Sequence, residues 1–280
     1  MTDHPTRPLV GISISNSPDL ASLGLEQSHL QEAMVRVARL LLGNDYDLAY
    51  GGDLRPDGYT VKLFEVCADT HAAKFGDDDH WQRRLVSFLA WPHYLTLSAE
   101  QQHELAQRCR LVKVTPADAA FSGLPENLPA DATGGVEDAF RAARCLSRMR
   151  ELMTTGGATS EQGERLPALA ARVLLGGKTS DFQGLMPGIF EEALLALEQP
   201  DRVSLYVLGG FGGAARLLAD ALLGEPSSDK ERLSLEAQQA HTPGLAALVA
   251  RYQQAGYSDA DLPAGRYQAL QQALAGAARE

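Results

Sequence analysis

LVGISISNSPDLASLGLEQSHLQEAMVRVARLLLGNDYDLAYGG, residues 9–52, carries the alternation that decides the fold. Residues 9–15 form a short apolar run that stops at the polar segment Asn16-Ser17-Pro18-Asp19, the length and boundary of a buried strand. Leu30, Met34, Val37, Leu40 and Leu41 then recur at helical spacing, and residues 47–50 open a second apolar run that exits through Gly51-Gly52. A strand, a helix and another strand in that order predict a β-α-β unit and, with it, a parallel sheet.

The pattern repeats outward from that unit. Val61, Phe64, Val66 and Cys67 mark a helix over 60–73, residues 85–91 a strand, 100–107 a short helix, and 109–115 a strand stopped by Pro116. Residues 117–135 are rich in Pro, Gly and acidic side chains and read as a loop insertion, because strands stand on both sides of them. Helical spacing resumes over 136–153, followed by a flexible stretch at 154–164. ARVLLGG at 171–177 and VSLYVLGG at 203–210 are two further strands with glycine exits, leading into helices over 188–198 and 214–223. From 227 onward the sequence reads as helices interrupted near Gly244, Gly256 and Pro263. The expected fold is α/β: a Rossmann-like, open, mainly parallel sheet with flanking helices, spanning 1–226, with a helical C-terminal extension at 227–280 packed on the same domain.

Composition narrows the function classes. The chain has 280 residues, 45% of them hydrophobic, enough for one substantial core. With 36 acidic against 25 basic side chains its formal charge is −11, which disfavours an extended nucleic acid or an anionic membrane as partner. A small anion needs only a few aimed amides and a cation, so it stays compatible with that field. Residues 1–8 lack the basic flank and apolar stretch of a secretory signal, and no apolar run approaches the roughly 20 residues of a membrane span, so the expected location is the cytoplasm. Cys67, Cys109 and Cys145 are odd in number and far apart, the pattern of buried thiols. The seven histidines show no metal-ligand spacing, and neither a metal nor a cofactor is implied.

Three strand exits share a Gly-Gly pair: Gly51-Gly52, Gly176-Gly177 and Gly209-Gly210. Glycine there permits either a tight turn or close approach of backbone amides to a ligand phosphate, to which the following helix N-terminus adds its dipole. Asp53, Arg55 and Tyr59 follow the first pair, while Lys178, Thr179 and Ser180 follow the second. Arg55 and Lys178 are the cations available to a phosphate, and Ser13, Ser15 and Asn16 supply hydrogen bonds rather than a nucleophile, since no Ser-His-Asp pattern accompanies them. GGKTSD lacks the gap of a Walker A loop, and GGFGGAA is not the dinucleotide fingerprint, so an NTPase and a nicotinamide dehydrogenase are both weak choices. The densest run, VSLYVLGGFGGAARLL, directs the expected phosphate to the amides of Gly209, Gly210, Phe211, Gly212 and Gly213 at the start of a helix.

VGISISNS, AYGGDLRPDGYT and VLGGFGGAARLL resemble, in order, the first-strand loop, the second-strand glycine turn and the late glycine motif of the SLOG superfamily, over approximately residues 9–223. That superfamily includes the Lonely-guy phosphoribohydrolases, the DprA proteins and many proposed sensors of nucleotide-derived signals in bacterial defence and stress. The resemblance implies a Rossmann-like fold and a nucleotide-related ligand. In the Lonely-guy motif PGGxGTxxE, Leu208 here replaces Pro, Gly209, Gly210 and Gly212 are kept, Gly213 replaces Thr and Arg216 replaces Glu. The cradle is thus closer to that family than the catalytic end.

Glu191 and Glu192, in GLMPGIFEEALL, are the alternative catalytic carboxylates for a base-releasing reaction, or else simply favour the start of their helix. His29 stands near the start of the first helix as a base-recognition or structural residue, and Trp81, Trp91 and Tyr94 read as core aromatics or a wall for a base. Three function classes result: a binding module or sensor for a nucleotide or nucleotide-derived small molecule, an N-glycosidase or phosphoribohydrolase, and a structural interaction protein. The C-terminal helices would serve homo-oligomer contacts or cover the domain.

Overall fold

Runs of branched and apolar residues can be buried on both faces only in a sheet covered by helices, and the chain resolves its apolar runs that way. The computed structural model describes residues 7–52, 58–75, 84–120, 135–199, 202–224 and 242–277. Six strands, β1 (Leu9–Ser15), β2 (Asp47–Gly51), β3 (Leu85–Ala90), β4 (Arg110–Val114), β5 (Leu169–Gly176) and β6 (Ser204–Leu208), pair in parallel in the order β4-β3-β2-β1-β5-β6. Strands on both sides of 117–135 share this one sheet; 121–134 lie outside the described residues, as do Asp53, Arg55 and Trp81.

The helices are α1 (Gln27–Gly43), α2 (Tyr59–Phe75), α3 (Ala99–Arg108), α4 (Val136–Thr155), α5 (Gly188–Leu197), α6 (Gly213–Leu222), α7 (Leu245–Gln254) and α8 (Pro263–Ala277). α1 packs beside α2, and α4 beside α5. The chain builds outward from β1 to β4, then returns across the sheet to place β5 on the other side of β1. Strand order therefore reverses between β1 and β5. In an open α/β sheet the crevice beyond the strand C-termini at such a reversal is where ligands bind.

Three expectations are corrected by packing. In α1 the buried ridge is Leu30, Met34, Ala38 and Leu42, each four residues apart, whereas Leu40 is 66% exposed. The i, i+4 row, not the larger side chain, sets which face of the helix is buried. The strand at 203–210 is shorter, and it is an edge strand in which exposed and partly buried residues alternate, so Tyr206 and Leu208 reach solvent instead of forming a buried run. The stretch 154–164 is held in place: Thr154 is wholly buried at the end of α4, and Thr159 and Arg165 form an antiparallel bridge closed by Gly157 N donating to Leu166 O.

The C-terminal helices cover other helices. Tyr252 and Leu248 of α7 meet Phe140 of α4, with the Phe140 and Tyr252 rings edge to face at 4.7 Å, and Tyr267, Leu270 and Leu274 of α8 join the apolar cluster of α5 and α6. Trp91 and Tyr94 are core residues, and Cys67, Cys109 and Cys145 are buried free thiols whose pKa burial pushes up to about 12. Among the described residues no helix is long and apolar enough to cross a membrane.

At the end of the sheet away from the strand exits, Asp47 at the start of β2 accepts from Arg84 Nε at 2.8 Å and Arg110 Nη2 at 2.9 Å, and all three side chains are buried. Arg84 also donates to the carbonyls of Leu42 and Tyr46, so one carboxylate ties β2 to the starts of β3 and β4. Removing it takes the buried carboxylate from two guanidinium groups, leaving Arg84 its two carbonyls and Arg110 its ion pair with Glu164 at 3.0 Å. Asp47→Ala is expected to destabilise the protein by about 3–5 kcal/mol in urea denaturation, and a loss under about 1 kcal/mol would show the network to be solvated.

Candidate functional site

The β1, β2 and β5 exits open onto a cavity of about 730 Å³, with a smaller one of about 280 Å³ beside it. Both are lined by Ser15 of β1, Gly51 of β2, Lys178 after β5, Gln183, Arg150 of α4 and Glu192 of α5. Ser13 lines the smaller cavity; Asn16, Gly52 and Tyr59 line the larger. At its wall Tyr59 Oη donates to Asn16 Oδ1 at 3.2 Å and meets the Gln27 amide, which fixes the mouth of the β1 loop to α2.

The floor is built on a charge inside the sheet. Arg172 of β5 has no exposed surface, and its guanidinium donates to Ser13 Oγ at 2.9 Å and Thr154 Oγ1 at 2.8 Å and pairs with Glu192 Oε2 at 3.1 Å. Gly11 of β1 makes room for the Leu169 side chain, which a Cβ there would meet at 2.8 Å, while the guanidinium carbon would lie at ordinary contact distance, 3.6 Å. Burial lowers the Arg172 pKa, opposed by the Glu192 carboxylate. Glu192 also stands 3.7 Å from Arg150 Nε, so it bridges the buried cation to the cavity cation.

The adjacent glutamates have separate places. Glu192 lines both cavities, whereas Glu191 is 1% exposed, lines neither, and is enclosed by Arg150, by Arg266 of α8 at 2.7 Å and by the Ser147 hydroxyl at 2.6 Å. Arg172, Glu192, Arg150, Glu191 and Arg266 thus form an alternating chain of charges from sheet core to C-terminal helix. Burial alone would raise the Glu191 pKa, but Arg266 and Arg150, aided by the hydrogen bonds from Ser147 and Arg150, overcome it and hold the group at about 2.

The late glycine motif sits apart. Gly209, Gly210, Phe211, Gly212 and Gly213 line neither cavity, and Phe211 packs on the core. Two of the amides expected to face a phosphate, and the one after them, are engaged within the protein: Gly212 N donates to Gly209 O, Gly213 N to Asp19 Oδ2 at 2.7 Å, and Ala214 N to Gly177 O at 3.0 Å. A carboxylate of the β1 loop therefore occupies the anionic position at the α6 N-terminus. Gly213 has φ +66°, and a Cβ on it would lie 2.2 Å from Gly177 O, so glycine is needed here for a packing joint. Gly176 and Gly177 belong to the same joint: Gly177 N donates to Ser15 O at 3.0 Å, and a Cβ on Gly176 would meet that oxygen at 2.7 Å. Thr179 is buried beside the exit and lines neither cavity.

His29 Nδ1 accepts from Glu26 N at 2.9 Å in a capping box at the start of α1, a structural role. The residues not anticipated are Arg150, Arg172, His93 and Gln183. Arg172 had a signal, a cation inside the apolar run ARVLLGG; Arg150 sits in an ordinary amphipathic helix and had none. Among the described residues no group of three His, Cys, Asp or Glu side chains is placed to hold a metal ion.

Two outcomes follow. Gly213→Ala is expected to cost about 3 kcal/mol or more, through a backbone clash at positive φ, whereas Gly210→Ala, whose Cβ would meet nothing within 4 Å, should cost under about 1 kcal/mol; equal losses in thermal denaturation would contradict the joint. Because the folded pKa of Glu191 lies below its ordinary value of 4.5, its stabilisation is present above pH 4.5 and lost as pH falls toward about 2. Stability measured across that window should fall more steeply for the wild type than for Glu191→Gln, and parallel profiles would refute the assignment.

No curated protein matches the sequence. The family model described as SLOG cluster2 matches residues 6–280. With a parallel Rossmann-like sheet, a switch-point cavity and a family match across nearly its whole length, the chain belongs to the SLOG superfamily.

Proposed function

We propose that the protein binds a nucleotide or nucleotide-derived signal in the cavity at the β1, β2 and β5 exits, with the ligand phosphate against Lys178 and Arg150. The observation that carries this reading is the charge of the cavity: within a chain of formal charge −11, its larger part is lined by two cations, Arg150 and Lys178, and one carboxylate. That carboxylate, Glu192, is shared with Arg172, and Arg150 is itself paired with Glu191, so among the described residues Lys178 is the lining cation without an ion-pair partner and the one most open to an incoming anion. Ser15 and Asn16 supply polar contacts to the sugar phosphate, and the glycines at 51 and 52 keep the β2 exit low.

Binding and sensing, rather than turnover, fit the position of the carboxylates. Glu191 is neutralised inside the protein, and Glu192 is committed to two arginines. One observation favours the alternative of an N-glycosidase or phosphoribohydrolase: Glu192 does line both cavities, where it would face a ribose. Chromatography of nucleoside monophosphates incubated with the protein separates the readings, since hydrolysis releases free base and ribose 5-phosphate together and binding releases neither.

Calorimetric titration with ribose 5-phosphate and nucleoside 5'-monophosphates tests the site. Lys178 is exposed, so Lys178→Met should leave the melting temperature unchanged while weakening phosphate-ligand affinity about tenfold, the scale of one charge-assisted hydrogen bond. Unchanged affinity in the folded variant would contradict the placement.

A further inference from the structure

Beside the polar cavity lies a third one of about 330 Å³ with a different character. Its walls are mainly apolar, drawn from Pro92, Ala142 and Leu146 on one side and Pro243, Leu245 and Leu248 on the other. It shares His93, Leu146 and Gln183 with the larger polar cavity, and Phe182 and Gln183 with the smaller one. Gln183 alone among these lines all three. Burial lowers the pKa of His93, opposed by the Gln183 side chain and aided by the Arg150 charge.

One buried polar group in this chamber has no partner. Thr242, 7% exposed, lines the chamber, and its buried Oγ1 makes no hydrogen bond. An unsatisfied hydroxyl in an apolar pocket is costly unless a ligand completes it. An acyl chain would fill the apolar walls but leave Thr242 and Gln183 unanswered. A planar heteroaromatic ring satisfies both demands, with apolar faces and an edge of donors and acceptors.

Resting on the phosphate reading of the neighbouring cavity, we propose that this chamber receives the heteroaromatic base of the nucleotide, with Gln183 and Thr242 contacting its polar edge. The β5–α5 loop and the start of α7 then read the base, while Lys178 and Arg150 hold the phosphate. The C-terminal extension is thereby a specificity element of the site as well as a cover for α4.

Competition titrations of the full chain with ribose 5-phosphate and with adenosine, guanosine, cytidine and uridine 5'-monophosphates test this. At least one nucleotide should bind wild type about tenfold or more tightly than ribose 5-phosphate, the scale of one or two buried hydrogen bonds plus ring burial. Ala142→Phe, which fills the chamber from a partly exposed position, should reduce that ratio to about one with ribose 5-phosphate affinity within about twofold of wild type. Thr242→Val replaces the unpaired hydroxyl by a methyl group, so it should keep or raise the melting temperature while lowering the ratio several-fold. A merely structural Thr242 would move the melting temperature and not the ratio, which would overturn its assignment. If ribose 5-phosphate binds and no nucleotide binds more tightly, the chamber proposal fails and the phosphate reading stands; if ribose 5-phosphate does not bind, the phosphate reading itself fails.

Discussion

A guanidinium with no exposed surface, in the middle of a central strand, sets the terms for the rest of this protein. Arg172 cannot shed its proton at ordinary pH, so its charge must be answered inside the fold. Ser13, Thr154 and Glu192 answer it from β1, α4 and α5, and in doing so bring three elements to one point beneath the strand exits. Glu192 must then lie at the cavity, and Arg150 must approach it. The two neighbouring arginines are tolerated because Glu191 and Glu192 stand between and around them, and Arg266 extends the alternation to α8. Buried ion networks of this kind are poor sources of net stability but costly to break, so they fix geometry more than they add free energy.

The glycines divide along the same line. Those at 51 and 52 border the cavity, whereas those at 176, 177, 212 and 213 allow β1, β5 and α6 to meet at backbone distance. The Asp19 carboxylate at the α6 N-terminus explains how a helix start that could attract an anion is satisfied without one. The cationic lining at the switch point then comes from side chains on α4 and the β5 exit, where the sheet topology alone would locate a ligand.

Much of the fold was legible because apolar runs of strand length alternate with helical spacing, and the six strands stand where those runs do. The departures are local: Leu40 is larger than Ala38 but lies off the buried i, i+4 row of its helix, and VSLYVL reads as buried although it ends at a sheet edge, a matter of strand order that no run of residues encodes. At the site, Ser13, Ser15, Asn16, Gly51, Gly52, Lys178 and Glu192 are brought together around the cavities, while Glu191 and the late glycine motif are not. Arg150 and Gln183 join them through packing of α4 and the β5–α5 loop, contacts between segments distant in sequence that spacing cannot reveal.

The most direct test is a crystal structure grown with adenosine 5'-monophosphate. The phosphate is expected within hydrogen-bond reach of Lys178 Nζ and the Arg150 guanidinium, with Asp19 still accepting from Gly213 N. A phosphate seated on the amides of Gly209 to Gly213, with Asp19 displaced, would contradict it and return the anion site to the late glycine motif.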